Sequence, residues 1–148
     1  MKNIGVSIIT VVYNNIRGIE RTIQSVLNQS YNNIEYIIID GGSTDGTLDV
    51  IKRYENRISY WISEADEGIY NAMNKGILKA HGSFLNFMNS GDTFVTSTTI
   101  ERLIERYEKG DKIIYGNILK CYDRRKERTS GIVSVSYTHL TLPTNSRV

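Results

Sequence analysis

Two runs constrain this chain most. Val6 to Val12 (VSIITVV) and Ile34 to Asp40 (IEYIIID) are rich in β-branched residues and apolar nearly throughout. A strand that is apolar on both faces belongs inside a sheet covered by helices on both sides, the usual setting of parallel sheets. Between the two runs, Ile16, Ile19, Ile23, Val26 and Leu27 recur at helical spacing. Further on, Ile69, Ala72, Met73, Gly76, Ile77 and Ala80 make an unbroken helix stripe, and His81-Gly82 ends it.

The remaining elements extend this alternation. Leu48 and Ile51 predict a short helix, Ile58 to Ser63 a third strand and Ser83 to Met88 a fourth. Thr98 with Glu101 has the spacing of a capping box, and Ile100, Leu103, Ile104 and Tyr107 form the stripe of the helix behind it. Ile113 to Tyr115 and Ile118 to Tyr122 read as further strands. The expected fold is α/β, a mostly parallel central sheet with flanking helices. In such sheets ligands sit beyond the carboxyl ends of the strands. That rule selects Tyr13-Asn14, Asp40 to Thr47, Glu64 to Gly68 and Asn89 to Asp92, polar loops that each follow a strand.

Bulk properties exclude several classes. The chain has 148 residues, about one domain by length. Its net charge of +2 is too weak to argue for nucleic acid or an acidic membrane as partner. A basic run, Lys120 to Arg128, reads as a solvated loop or edge. One cysteine, Cys121, allows no internal disulfide and no cysteine-built metal cage. No apolar run is long enough to span a bilayer. The start, MKNIGVSIITVVY, lacks a small-residue cleavage site and runs directly into a helical pattern, so it reads as a first strand in the cytoplasm.

Neither GxxxxGK[ST] nor a GxGxxG after the first strand occurs, which disfavours an ATPase or a dinucleotide dehydrogenase. Glycines and acids cluster instead at Asp40-Gly41-Gly42-Ser43-Thr44-Asp45-Gly46. Asp40 at a strand tip can accept hydrogen bonds from a base or ribose, with glycines giving a ligand close access to the backbone. The competing reading is a turn plus helix cap built from Ser43, Thr44 and Asp45. Asp92, in Asn89-Ser90-Gly91-Asp92, suits a hard divalent cation, which takes one or two carboxylates plus diphosphate oxygens. Asn89 is a candidate second oxygen, and an ordinary Asp-containing turn is the alternative. Glu64, Asp66 and Glu67 precede the 69–80 helix, where acids are favoured by its dipole and where one is free to face a ligand. Lys75 lies on the polar side of that helix, within reach of phosphate or a neighbouring acid. Tyr13 can stack on a base or simply pack. His81 and His139 are isolated.

With those residues in place, the chain resembles the N-terminal part of the inverting family 2 glycosyltransferases of the GT-A, Rossmann-like fold. The resemblance covers about residues 6–117 and rests on VSIITVVYNN, YIIIDGGSTDGT, SEADEGIYNAMNKGI and GSFLNFMNSGD, in that order. The third is similar to bacterial transferases that build exopolysaccharide, capsule or O-antigen units. The resemblance implies a UDP- or GDP-sugar donor, a saccharide or lipid-linked acceptor, and Mg²⁺ or Mn²⁺. It implies that Tyr13 and Asn14 border the nucleotide, that Asp40 reads the base with Gly41 and Ser43 beside it, and that Asp66 and Lys75 line the donor site. Asp92 is then the final acid of the family's DxD motif. Two departures stand out: Gly41 replaces a usual second acid, and Asn89 or Ser90 replaces the first acid of DxD.

The resemblance implies displacement at the anomeric carbon, with a carboxylate as base. Asp111, Asp123 and Glu127 sit in no recognisable base motif, and no catalytic base is assigned. Residues 1–130 are expected to form the donor-binding unit of a C-terminally truncated domain. Residues 131–148 are expected to be a non-native or disordered tail. The full-length protein is expected at the inner face of the membrane as a peripheral protein. The alternatives are a non-catalytic nucleotide-sugar-binding module and a nucleotidyltransferase.

Overall fold

The structure is a computed structural model. It describes residues 3–111 and, beyond them, the backbone of residues 113–114, 118–122, 125–129 and 136–138. The elements in chain order are β1 (Val6–Val12), α1 (Ile16–Leu27), β2 (Ile34–Asp40), α2 (Thr47–Arg53), β3 (Tyr60–Ser63), α3 (Ile69–Lys79), β4 (Phe84–Phe87) and α4 (Thr99–Glu105). Four short strands follow: β5 (Ile113–Ile114), β6 (Ile118–Tyr122), β7 (Arg125–Thr129) and β8 (Ser136–Thr138). A 3-10 turn, Glu55–Arg57, precedes β3.

The main sheet has the order β3-β2-β1-β4-β8-β5. Strands β1 to β4 are parallel, while β8 runs antiparallel to both β4 and β5. Phe84 faces Thr138 and Leu85 faces Tyr137 in that pairing. Strands β6 and β7 form a separate antiparallel pair, so much of the basic run lies in a hairpin. Of the segment read as a tail, residues 136–138 therefore enter the sheet; Leu140 and Leu142 lie outside the described residues. So do the side chains of Cys121, Asp123, Glu127 and His139.

The two apolar faces of β1 and β2 are covered as their sequence demands. On one face Ile8, Ile38 and Phe84 pack against Ile19 and Ile23 of α1, Ile51 of α2 and Ile100 of α4. On the other, Ile9, Ile37, Ile39 and Leu85 meet Ala72 of α3. This second layer is tight: a Cβ on Gly76 would collide with Ile9 Cγ2, so the bare α-carbon lets α3 lie flat on the sheet.

One local expectation changes. Thr98 is the N-cap of α4 but makes no side-chain cap bond, and Glu101 accepts from Ser30 Oγ at 2.8 Å instead. The Ile100 amide is met by Gln29 Oε1 at 3.1 Å. The orphan amides of a helix start need an acceptor, and here the loop after α1 supplies it.

Candidate functional site

The chain leaves β1, builds β2 and β3 on one side of it, then returns to place β4 on the other. The order therefore reverses between β1 and β4, and the carboxyl ends of these strands open the crevice in which such sheets bind ligands. The four polar loops selected from the sequence all emerge at this rim.

They are stitched together. Asn14 N donates to Ser43 Oγ at 2.7 Å, and Thr44 N donates to Asn14 Oδ1 at 2.8 Å. Asn14 adopts φ 45°, a left-handed conformation that asparagine tolerates better than most residues. Asn15 N donates to Thr47 Oγ1, and the Ile16 amide donates to Asp45 Oδ2 at 3.0 Å. Thr47 returns both its amide and its hydroxyl to Asp45 Oδ1. The Thr47 hydroxyl outweighs the other influences on Asp45 and holds its carboxyl below the ordinary range. Asp45 is thus a cap and a clasp.

Across the crevice, Asn15 Nδ2 donates to the Ser90 carbonyl at 3.1 Å and to Ser90 Oγ at 3.0 Å. Thr22 Oγ1 donates to the Asp92 carbonyl at 2.8 Å, while Gly91 N donates to Thr22 Oγ1. Arg21 Nη2 reaches the Gly91 carbonyl at 3.0 Å. The loop carrying Asp92 is therefore fixed by its backbone. Its carboxylate is exposed and has no side-chain partner among the described residues.

Asp40 requires a correction. It is 0% exposed, and its oxygens accept from Gly42 N (3.2 Å), Ser43 N (2.9 Å), Ser43 Oγ (2.5 Å) and Ser63 Oγ (2.6 Å). A carboxylate buried with four donors organises its own loop, and nothing of it faces the rim. Ser43 is spent on the same network and on Asn14. Of the two partners expected for Lys75, phosphate or a neighbouring acid, the structure shows the acid. Lys75 Nζ pairs with Glu64 Oε1 at 2.9 Å and contacts the Ala65 carbonyl at 3.4 Å, so it ties α3 to the β3–α3 loop.

Tyr13, Gly41 and Asp66 do come together. Tyr13 is 66% exposed. A Cβ built on Gly41 would lie 2.8 Å from Asp66 Oδ2 and 3.4 Å from Tyr13 Cδ2. Asp66 Oδ1 accepts from Gly68 N at 3.0 Å; Oδ2 accepts no hydrogen bond from any described residue.

The donor set for a divalent cation is lean. Among the described residues no group of three or more His, Cys, Asp or Glu could hold a metal. Asp92 offers one unpaired carboxylate, and Asn89 Oδ1 is shielded yet accepts no hydrogen bond. Buried polar atoms are rarely left this way, and an unspent carbonyl oxygen in the same short loop as a free carboxylate fits a hard cation completed by phosphate and water.

Sequence reasoning missed Asn15, Thr22, Arg21 and Ser63. One carried a signal. Asn15 directly precedes a helical stripe, the position of a cap, and it does accept from Gly18 N. Ser63 stands opposite Asp40 through the β2–β3 register, which the fold sets.

Comparison with known proteins agrees with this geometry. Residues 7–146 match the glycosyl transferase family 2 model. An uncharacterised glycosyltransferase of Mycobacterium tuberculosis strain H37Rv is 42% identical over 101 residues, covering 68% of this chain and 38% of that protein. TuaG of Bacillus subtilis, named for teichuronic acid biosynthesis, is 42% identical over 90 residues, covering 59% of this chain and 36% of its own. The chain thus spans well under half of these relatives. In fold it is similar to the mannosyltransferase PcManGT of Pyrobaculum calidifontis, solved with GDP-Man and Mn²⁺ (TM-score 0.65, 21% identity, 70% of this chain and 32% of that one). It is similar also to S. aureus TarS 1-349 in complex with UDP-GlcNAc (TM-score 0.62, 24% identity, 68% and 30%). The parallel sheet, its switch-point crevice and the family match agree: the chain belongs to glycosyl transferase family 2 and has its GT-A fold.

Proposed function

We propose that this chain binds the nucleotide-sugar donor of a glycosyltransferase that works in bacterial surface polysaccharide synthesis. The reaction passes a sugar from a UDP- or GDP-linked donor to a saccharide or lipid-linked acceptor. One observation carries the reading. Four loops converge at the β1/β4 crevice and leave Asp92 as a carboxylate fixed by its backbone but unpaired at its oxygens. The complexes of PcManGT with GDP-Man and of TarS with UDP-GlcNAc support a donor of this class.

In this reading Asp92 and Asn89 hold the divalent ion, Mg²⁺ or Mn²⁺, and Tyr13 and Asn14 border the nucleotide. The ion, when bound, supplies positive charge against the departing diphosphate. Asn15, Thr22 and Arg21 position Asp92, because each bonds the loop that carries it. Lys75 and Glu64 hold the β3–α3 loop, and with it Asp66, against the rim. The acceptor's base is assigned to no described residue.

Residues 1–130 form the donor unit in this reading. The protein works in the cytoplasm, with its full-length form at the inner face of the membrane. No helix among the described residues is long and apolar enough to cross a membrane.

Calorimetric titration of UDP, GDP and their sugars, with and without Mn²⁺, tests the reading. Binding that needs the metal and is lost in Asp92→Ala is expected. An absence of nucleotide binding in the unaltered chain would sink the donor-site reading, and equal binding by Asp92→Ala would remove the metal assignment alone.

A further inference from the structure

We propose that Asp66, standing over Gly41, is the acid that recognises the base of the donor nucleotide, and that the missing side chain at position 41 is what admits it. The proposal rests on the donor reading above and assigns the base contact within it. Asp40, the acid at the strand tip, is fully buried among four donors of its own surroundings and presents no oxygen to a ligand. Asp66 has one oxygen on Gly68 N and the other unbonded to any described residue. That second oxygen stands 2.8 Å from where a Cβ at position 41 would be, a separation that real Cβ atoms essentially never show. Any side chain at 41 would therefore displace Asp66. Gly41 is itself buried, covered by Asp66 and by the ring edge of Tyr13. A largely exposed aromatic ring and a free carboxylate oxygen thus meet at one point of the rim. The ring offers a face for stacking and the carboxylate offers an acceptor.

The chemistry selects the base. A carboxylate oxygen pairs with a ring N–H, which uracil presents at N3 and guanine at N1. Cytosine N3 and adenine N1 present a lone pair at those positions, and it would repel the carboxylate. The donor is accordingly a uracil or guanine nucleotide, read by an acid from the loop after β3 and not by one at the tip of β2.

The test uses the full chain with Mn²⁺ and compares UDP and GDP with their N3-methyl-UDP and N1-methyl-GDP analogues by calorimetry. For the tighter nucleotide, methylation is expected to weaken binding about tenfold or more in the unaltered chain, the scale of a lost hydrogen bond to a charged group. In Asp66→Ala that discrimination should collapse to about one, with Asp66→Asn intermediate and thermal melts showing all variants folded. A second variant, Gly41→Asp combined with Asp66→Gly, should recover part of the discrimination by placing an acid at the vacated point. Undiminished discrimination in folded Asp66→Ala would overturn the assignment while leaving the donor site standing. No binding of either nucleotide by the unaltered chain would overturn both.

Discussion

The two ends of the parallel sheet handle polar groups in opposite ways. At the amino end Ser7 Oγ donates to Glu35 Oε2 at 2.5 Å, the His81 amide donates to the same oxygen at 2.7 Å, and His81 Nδ1 lies 2.7 Å from Glu35 Oε1. Gly82 N closes the set on Ser7 Oγ at 2.8 Å. Each oxygen of Glu35 has a partner, and the network fastens the α3–β4 turn to β1 and β2. At the carboxyl end the loops are fastened as densely, yet Asp92, Asp66 Oδ2 and Asn89 Oδ1 keep acceptor capacity. Polar density is therefore no guide to function. What separates the ends is whether acceptors remain for a ligand: Asp92 and Asp66 Oδ2 have only water to give up, and Asn89 Oδ1, shielded from water, is left unmet at a cost that a ligand can relieve.

The largest effect should come from Asp40, a buried acid at the carboxyl end that behaves like the amino end. Asp40→Ala strands Ser43 N, Ser43 Oγ and Ser63 Oγ, and on the order of 3 kcal/mol of stability should be lost in denaturant titrations. A stable variant with weakened nucleotide binding would show that Asp40 belongs to the functional set after all.

Gly82→Ala probes the amino end directly. Its Cβ would stand 2.6 Å from Ser7 N and 2.9 Å from the Val6 carbonyl carbon, both backbone atoms that cannot turn aside. A loss of about 2 kcal/mol is expected, with nucleotide affinity in the folded fraction unchanged. A drop in affinity at full folding would mean that the two ends are coupled.

Asp92→Asn should give the reverse signature. Its side chain has no partner to lose, so stability should move by no more than about 0.5 kcal/mol. Metal-dependent nucleotide affinity should fall about tenfold, or about 1.4 kcal/mol. Destabilisation without any binding change would place Asp92 with the structural acids.

The smallest effect is one of pH. Partial burial pushes the Glu35 carboxyl up, but the Ser7 hydroxyl, the His81 amide and the His81 imidazole together outweigh it and hold the carboxyl below its ordinary value. A carboxyl depressed in the folded state stabilises fully above its unfolded pKa, and the contribution fades as pH falls through the folded value. Acid melts should therefore show a limb of lost stability below the ordinary carboxylate range, flattened in Glu35→Gln. An unchanged limb in that variant would assign it to other carboxyls.

Much of this was legible in the chain itself. The continuous apolar runs of β1 and β2 and the helical stripes of α1 and α3 encode local geometry, and periodicity reports it without tertiary knowledge. The order of strands and helices then implies a parallel sheet and assigns every polar loop after a strand to one rim. Four quoted motifs were enough to place the family. The cap of α4 was not legible, because Gln29 supplies it from a distant loop where the local Thr98 and Glu101 pattern pointed to a box.

The sequence by itself thus determined which acids lie at the carboxyl ends of strands: Asp40 ends β2, and Asp66 and Asp92 follow β3 and β4. Only the tertiary structure decided which of them has oxygens to spare. Asp40 is buried and held by Ser43 and by Ser63 from the neighbouring strand, Lys75 is taken by Glu64, and Asp66 is seated by the empty position at Gly41. Whether an acceptor is used up depends on partners brought from elsewhere in the chain. Strand and helix periodicity carries no record of those pairings, and the fold does.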